Sequence, residues 1–287
     1  MALCEPRYFD IGNTINDWHR QYEGKRTVDR AKALRQFADL VSLFGSLGIE
    51  VMFVEPDPSC PYQVFTRDTC VVLNSGAVIT VPSTPVRRPE AHETRRLLTR
   101  LGIPVVGEVE GEAGDVVFAD SRTAVVARSR RTPTTALAET LARNSRGLQV
   151  RQVTHESSTH LDTIFAVIDS DTCVVTSYGM TESLRRMIEE TFTTVIRFDA
   201  RTLGTLANNF IVVGPRTLVA SSASREQNRL LASHGITVHE VDLSEFNLSG
   251  AGPRCMTLEI LREADGDCGR SNHPASEVVE ETAASRT

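Results

Sequence analysis

The residues best suited to chemistry are Cys255 in GPRCMTLEI, His160 and Asp162 in THLDTIFAV, Glu112 and Asp115 in EGEAGDVVF, and Arg67 and Asp68 in VFTRDTCVV. A cysteine offers a thiolate nucleophile, and a histidine titrates near neutral pH as a general acid and base. Carboxylates orient a cation or support the histidine. Singly, each has an ordinary structural use. A cysteine among apolar residues packs as a small hydrophobe, and Arg67 beside Asp68 reads as an ion pair of little worth. Glu112 to Asp115 reads as a polar glycine-containing loop, and Asn208 and Asn209 in ANNFIVV as turn formers. The H-x-D spacing also suits two metal ligands on one strand face, although the lack of further histidines in the pattern disfavours a metal.

Position is what joins them. A short pattern, often opened by glycine, recurs as GIEVM (48–52), GIPVV (102–106), GLQVR (147–151), TTVIR (193–197) and GITVH (235–239), with starts 54, 45, 46 and 42 residues apart. Each copy follows an amphipathic stretch, the clearest being AKALRQFADLVSLFGSLG, where Leu34, Phe37, Val41 and Phe44 share a helix face. After each copy but the last comes an apolar hairpin with turn residues at its middle, such as TCVVLNSGAVITV and NNFIVVGPRTLVAS. The last copy is followed by CMTLEI alone, and the N-terminal ALCEP could supply its missing partner strand. Five strand, hairpin and helix units closed by the two chain ends predict a five-bladed α/β propeller. An ordinary three-layer α/β domain is the alternative.

In that arrangement the chemistry-bearing residues stand where each unit enters its hairpin, so they converge on the axis. Several carboxylates in one pocket repel one another unless a cation sits among them. A planar guanidinium fits, since carboxylates pair with its N–H groups and leave the central carbon open to a Cys255 thiolate. His160 would protonate the departing amine and then activate the water that releases the amidino-thioether. Neither a metal nor an organic cofactor is required.

The ordered set FTRD, E-x-G-D, H-L-D and a glycine-containing run before C-M resembles the guanidino-group modifying enzymes: arginine and agmatine deiminases, dimethylargininases, arginine dihydrolases and amidinotransferases. The resemblance covers most of residues 1–261. It implies the pentein propeller, with Cys255 as nucleophile, His160 as acid/base with Glu112, and Asp68, Asp162, Asp115 and Asn209 around the substrate. It further implies Arg131 in RRTPTT and Arg88 in VRRPE as anchors for a substrate carboxylate. Two departures stand out, SGAGPRC in place of adjacent glycines before the cysteine, and E-A-G-D in place of E-G-G-D. Asp162, as a second carboxylate clamp, leaves less room for N-methyl groups and favours unsubstituted L-arginine or a close relative over dimethylarginine. Products would be citrulline or ornithine plus ammonia. A dimethylarginine dimethylaminohydrolase releasing citrulline and dimethylamine, an amidinotransferase and a non-catalytic binding module of the same fold remain as alternatives.

The rest of the sequence sets limits. The 287 residues are 40% hydrophobic and 24% charged with a formal charge of −6, which disfavours nucleic acid. No apolar run approaches a membrane span and MALCEPRYFDIG lacks signal-peptide order, so a cytoplasmic protein without membrane partners is expected. Its partner is a small cationic guanidino compound, and self-association as a homo-oligomer is left open. The six cysteines, Cys4, Cys60, Cys70, Cys173, Cys255 and Cys268, form no C-x-x-C pair, against a zinc site or disulfide framework. We expect one catalytic domain over 1–262 and a mobile polar tail over 263–287. Trp18 and His19 in INDWHRQ lie in a loop that could reach over the site mouth.

Overall fold

The computed structural model describes residues 1–198 and 208–260; the tail expected over 263–287, with Cys268, lies outside them. The chain starts with β1 (Ala2–Cys4), a short α1 (Asp17–Arg20), α2 (Arg30–Ser46) and β2 (Met52–Val54). The unit that follows is β3 (Cys70–Leu73), β4 (Gly76–Val81), α3 (Glu90–Arg100) and β5 (Val105–Glu110). It recurs as β6 (Val116–Asp120), β7 (Thr123–Arg128), α4 (Ala136–Asn144) and β8 (Gln149–Thr154). A third copy is β9 (Phe165–Val167), β10 (Thr172–Thr176), α5 (Glu182–Thr191) and β11 (Thr194–Phe198). A fourth is β12 (Ile211–Gly214), β13 (Thr217–Ser221), α6 (Arg225–Ser233) and β14 (Thr237–Val241), followed by α7 (Ser244–Asn247).

In each copy the first two strands pair antiparallel, and the helix returns the chain so that the third strand lies parallel to the second. The repeat is therefore hairpin, helix and strand. The GIPVV-type strand closes the sheet of the hairpin before it, because a parallel pairing needs the intervening helix as its crossover. The remaining sheet unites the chain ends. β1 runs parallel to β2 in the register Ala2↔Met52, and Ala2 bridges Leu258 antiparallel by reciprocal backbone hydrogen bonds of 2.8 and 2.9 Å. The partner expected of ALCEP is thus present, and the five sheets make the five-bladed propeller.

Apolar side chains fill the space between blades. Val117, Val125 and Val153 of one blade meet Leu161, Phe165, Leu184 and Phe192 of the next. α2 is capped by Asp29, whose carboxylate accepts from Lys32 N, and buries Ala33, Phe37, Leu40 and Phe44. The buried stripe is rotated from the expected one, for Leu34 is 39% exposed and Val41 only flanks the contact. Cys70 and Cys173 are fully buried strand residues, as their apolar neighbours require.

What this frame does for a site is set at the turns that precede each first strand. Thr66–Thr69, Ala113–Asp115 and Leu161–Thr163 form single 3-10 turns that pack against one another around the axis. Thr66 Oγ1 donates to Ala2 O (3.0 Å) and Met256 O (3.1 Å), and Thr80 Oγ1 to Asp68 O (2.7 Å), fixing the first turn to the closing strand and to its own blade.

Candidate active site

Cys255 is buried at the axis, held by one asparagine from the neighbouring blade. Asn209 Nδ2 donates to Cys255 Sγ at 2.9 Å, and Asn209 Oδ1 accepts from Cys255 N at 3.2 Å. This clasp demands a close backbone. A Cβ on Gly252 would lie 2.8 Å from Asn209 O, so the glycine lets the nucleophile loop reach its partner.

Opposite the thiol, His160 Nε2 meets Glu112 Oε2 at 3.0 Å and His160 Nδ1 lies 3.5 Å from Asp68 Oδ1. Glu112 also accepts from two arginines. Arg131 donates through Nε to Oε1 (2.8 Å) and through Nη2 to Oε2 (2.7 Å), while Arg87 Nη1 reaches Asp68 Oδ2 (2.9 Å) and Glu112 Oε2 (3.1 Å). Arg87 is fixed from behind by a two-point pair with Glu90, at 3.0 and 2.8 Å. Asp68 Oδ1 is buried without a hydrogen-bond partner. It is the open acceptor of the cluster.

The histidine is seated by its surroundings. A Cβ on Gly114 would stand 2.6 Å from His160 Cγ and 2.8 Å from Asp68 Oδ1, so the E-A-G-D glycine is the floor on which the imidazole lies. Asp115 is not at the cavity. It accepts from Ser129 Oγ (2.6 Å), Leu161 N (2.9 Å) and the buried His155 Nε2 (2.9 Å), which fixes the turn carrying His160.

The residues bounding this cavity include Asp68, Arg87, Arg131, His160 and Cys255, with Ile15 and Asn16 above them, and they leave about 20 Å³. Ile15 and Asn16 belong to a strap. Asn16 Nδ2 donates to Ser249 O (2.8 Å), Trp18 Nε1 to Asn247 O (2.7 Å), Arg131 Nη1 to Ile15 O (2.9 Å), and Tyr62 OH to Asn13 O. Of the segment expected over the mouth, Ile15 and Asn16 bound the cavity, whereas Trp18 and His19 stand in α1 and not in a loop, and neither lines it. His19 does not face the cavity but bonds Ile11 O within the strap at 2.8 Å.

Besides Asp115, two further sequence expectations are corrected. Arg88 is half exposed and pairs with Glu110 at 2.8 Å on the surface; its neighbour Arg87 is the buried arginine of the site, because the Pro85–Arg87 turn points residue 87 inward. Asp162 does not clamp the front cavity. Its Oδ2 lies 3.3 Å from Arg67 Nε and 3.5 Å from Arg254 Nε, behind the His160 turn. The sequence reading also passed over Arg87, Glu90, His155 and Arg254. Of these, only Arg254 and Arg87 had a visible signal, each adjoining a residue already singled out.

The electrostatics follow from burial and these pairs. Burial alone would lower the His160 pKa, but Asp68 and Glu112 outweigh it and raise it to about 9, so the ring is an imidazolium at neutral pH. Burial would raise the Glu112 pKa, but Arg131, His160 and Arg87 hold it well below the carboxylate range. Burial, reinforced by Asp162 and Asp68, pushes the Cys255 thiol far above its ordinary value. Burial raises Glu90 to about 7 despite Arg87. The thiol is therefore neutral at working pH. Ligand atoms of Asp68, Glu112 and His160 lie within 4.8 Å of one another, the only possible metal cluster among the described residues, yet Arg87 and Arg131 already neutralise those carboxylates.

The sequence profile of N,N dimethylarginine dimethylhydrolase, eukaryotic, matches residues 5–262. The uncharacterized protein YkgA of Bacillus subtilis (strain 168) is 26% identical over 264 residues, 91% of each chain. An arginine deiminase of Listeria monocytogenes is 27% identical over 261 residues, 74% of this chain but only 63% of the deiminase. Among solved structures, the product-bound N-terminal domain of ArgZ, an arginine dihydrolase of cyanobacteria, superposes with a TM-score of 0.81 at 21% identity, covering 91% of this chain and 96% of that one. A dimethylarginine dimethylaminohydrolase carrying an S-methyl-L-thiocitrulline adduct gives 0.75 at 22% identity, covering 89% and 96%. At such identities the structural likenesses establish the fold.

Proposed function

The chain belongs to the N,N-dimethylarginine dimethylhydrolase family of the guanidino-modifying penteins, and from that premise we propose that it hydrolyses the guanidino group of L-arginine or a close derivative through a covalent Cys255 adduct. The observation that carries this reading is the convergence of a clasped thiol, an imidazolium and an open carboxylate acceptor on one cavity. The substrate guanidinium donates to Asp68 Oδ1, and its charge lowers the cost of ionising Cys255, whose proton leaves to solvent. The thiolate attacks the guanidinium carbon. His160 gives its proton to the departing nitrogen, and the C–N bond breaks to release ammonia or an amine.

Neutral His160 then takes a proton from water as the oxygen bonds to the amidino carbon. The C–S bond breaks, the second proton is lost, and the product is a ureido compound of the citrulline type. When the strap opens, Arg131 Nη1 is freed from Ile15 O and can hold a substrate carboxylate. Arg87, locked on Glu90, is instead a fixed charge paired with Asp68 and Glu112. No step needs a cofactor. We take residues 1–262 as the single catalytic domain.

The position of Asp162 favours a second reading of the substrate. The exclusion of N-methyl groups rested on a second carboxylate in the cavity, and Asp162 instead faces Arg67 and Arg254. Dimethylarginine therefore stands beside arginine as a substrate. The test is incubation with L-arginine, asymmetric dimethylarginine and agmatine, resolving ammonia, dimethylamine, citrulline and ornithine by mass, with Cys255→Ser as control. Cysteine-dependent citrulline with dimethylamine or ammonia identifies the substrate, and ornithine reports a second hydrolysis. No turnover of any of the three would overturn the reading in favour of amidino transfer or a binding module.

A further inference from the structure

His155 is a fully buried titratable side chain that the mechanism above leaves unused. Its place follows from strand register. β7 and β8 run parallel with Arg128 paired to Thr154, so the next residues, Ser129 and His155, leave the same end of the blade side by side. Both turn to Asp115. Ser129 Oγ donates to Asp115 Oδ2 at 2.6 Å, and His155 Nε2 meets Asp115 Oδ1 at 2.9 Å. An ionised carboxylate only accepts, so Nε2 carries a hydrogen. His155 Nδ1 has no hydrogen-bond partner, which leaves Asp115 as the one polar contact of the ring among the described residues.

Asp115 joins two parts of the site. Its Oδ1 also accepts from Leu161 N at 2.9 Å, at the residue after His160. Ser129 Oγ, having given its hydrogen to Asp115, accepts from Arg131 N (3.0 Å) and Thr132 N (3.1 Å) in the loop of the proposed substrate anchor. One carboxylate therefore ties the acid/base turn to the anchor loop, and three donors hold it. Burial would raise the Asp115 pKa, but the His155 hydrogen bond and the His160 charge hold it below the ordinary carboxylate value.

We propose that His155 is a positioning residue for the acid/base step: by donating to Asp115 it fixes, through Leu161 N, the orientation in which His160 enters the front cavity. This role presupposes the acid/base function of His160 proposed above. Without the His155 donor, Asp115 Oδ1 keeps Leu161 N alone, and the carboxylate loses one of the three bonds that fix its plane. The turn then slackens where placement matters most, since a shift of about 1 Å can cost on the order of 10²-fold in rate. The charged groups around His160 are Asp68 and Glu112, which pair with it, and Arg131 and Arg87, which pair with Glu112 in turn. Asp162 and Asp115 also lie within reach of its charge. A ring that drifts from Asp68 and Glu112, or an Asp115 that takes up a proton, leaves the imidazolium less favoured. Both consequences move its titration the same way, to lower pH.

The test compares kcat, KM and the pH dependence of kcat/KM in the wild type, His155→Leu and His155→Gln, using the substrate identified above. Leucine fills the space without a donor, whereas glutamine carries an amide N–H near the place of Nε2. In His155→Leu, kcat should fall roughly tenfold to a hundredfold with KM little changed, and the alkaline limb of the profile should move to lower pH. His155→Gln should restore most of both. A merely structural role would lower the melting temperature and leave the limb in place. Asp115→Asn keeps an acceptor for Leu161 N and His155 but not the charge; its limb should also move to lower pH, and it serves if His155→Leu does not fold. A wild-type limb in whichever variant folds, or a glutamine variant no better than the leucine one, overturns the positioning role and leaves the covalent mechanism standing. A wild type without an alkaline limb, or His160→Gln turning over at the wild-type rate, overturns the acid/base function of His160, and the role of His155 with it.

Discussion

Two buried charge clusters occupy the axis, and they differ in kind. The front one joins Asp68, Glu112 and Glu90 to Arg87, Arg131 and His160. The rear one joins Asp162 and Glu259 to Arg67 and Arg254. The same short motifs feed both. R-D sends Arg67 to the rear and Asp68 to the front, H-L-D sends His160 to the front and Asp162 to the rear, and R-C sends Arg254 to the rear and Cys255 to the front. The rear cations are guanidiniums that stay charged, so that cluster is an ion-pair framework. The front contains the groups whose charge can change at working pH. A tight turn thus builds machinery and its support from neighbouring residues.

The largest way to separate the clusters is to remove the nucleophile. Cys255→Ser should lower turnover by a factor on the order of 10³ or more, with the thermal unfolding midpoint little changed because serine keeps the Asn209 contact. Initial rates and a melting curve on the same sample read both. The rear cluster should behave in the opposite way. Asp162→Ala leaves Arg67 buried beside a second guanidinium, Arg254, and should cost about 3–5 kcal/mol of stability by denaturant unfolding. If Asp162→Ala instead spares stability and abolishes turnover, Asp162 belongs with the front machinery.

A smaller effect is expected at the floor of the front cluster. Gly114→Ala pushes a methyl to within 2.6 Å of the His160 ring and displaces it toward solvent. We expect kcat to fall roughly tenfold to a hundredfold with little change in KM, since a misplaced acid affects the chemical steps more than binding. A fall in KM-limited binding alone would mean that the glycine serves the substrate and not the imidazole.

The pH response follows from the raised His160 pKa. The stabilisation contributed by His160 with Asp68 and Glu112 is complete below the ordinary histidine value of 6.5 and is lost as pH rises through about 9. The melting temperature should therefore decline between these values. His160→Gln should flatten that window, and kcat/KM of the wild type should fall on the alkaline side as the imidazolium disappears. A profile in which His160→Gln melts with the wild-type pH dependence would place the titration elsewhere.

Much of this was legible in the sequence because it repeats. Five short strands at similar intervals and an unpaired CMTLEI pointed to a closed ring over an ordinary three-layer domain, and such a ring brings FTRD, EAGD, HLD and C-M together. What was hidden is direction within a turn. Spacing shows that His160 and Asp162 are two apart, but Asp162 sits inside the Leu161–Thr163 3-10 turn with His160 at its N-cap, so the strand rule of alternating faces does not apply. Asp115 carried the right chemistry yet spends it on Leu161 N, Ser129 and His155, a partner supplied by no motif. Glu90 reads as an exposed residue of the first helical turn, and only the burial of Arg87 brings it inside.

The smallest expected effect tests that directional argument most sharply, at two adjacent arginines in VRRPE. Arg88 is on the surface with Glu110, a pair half exposed on both sides, so Arg88→Ala should alter stability and kcat/KM by no more than about 0.5 kcal/mol equivalent. Arg87→Ala removes the charge that Asp68, Glu90 and Glu112 share and should be strongly destabilising under the same measurements. The two substitutions differ only in which way one 3-10 turn points the chain. If Arg88→Ala raised KM for the guanidino acid while Arg87→Ala were mild, residue 88 would be the substrate's anchor and the Pro85–Arg87 turn would rotate on binding.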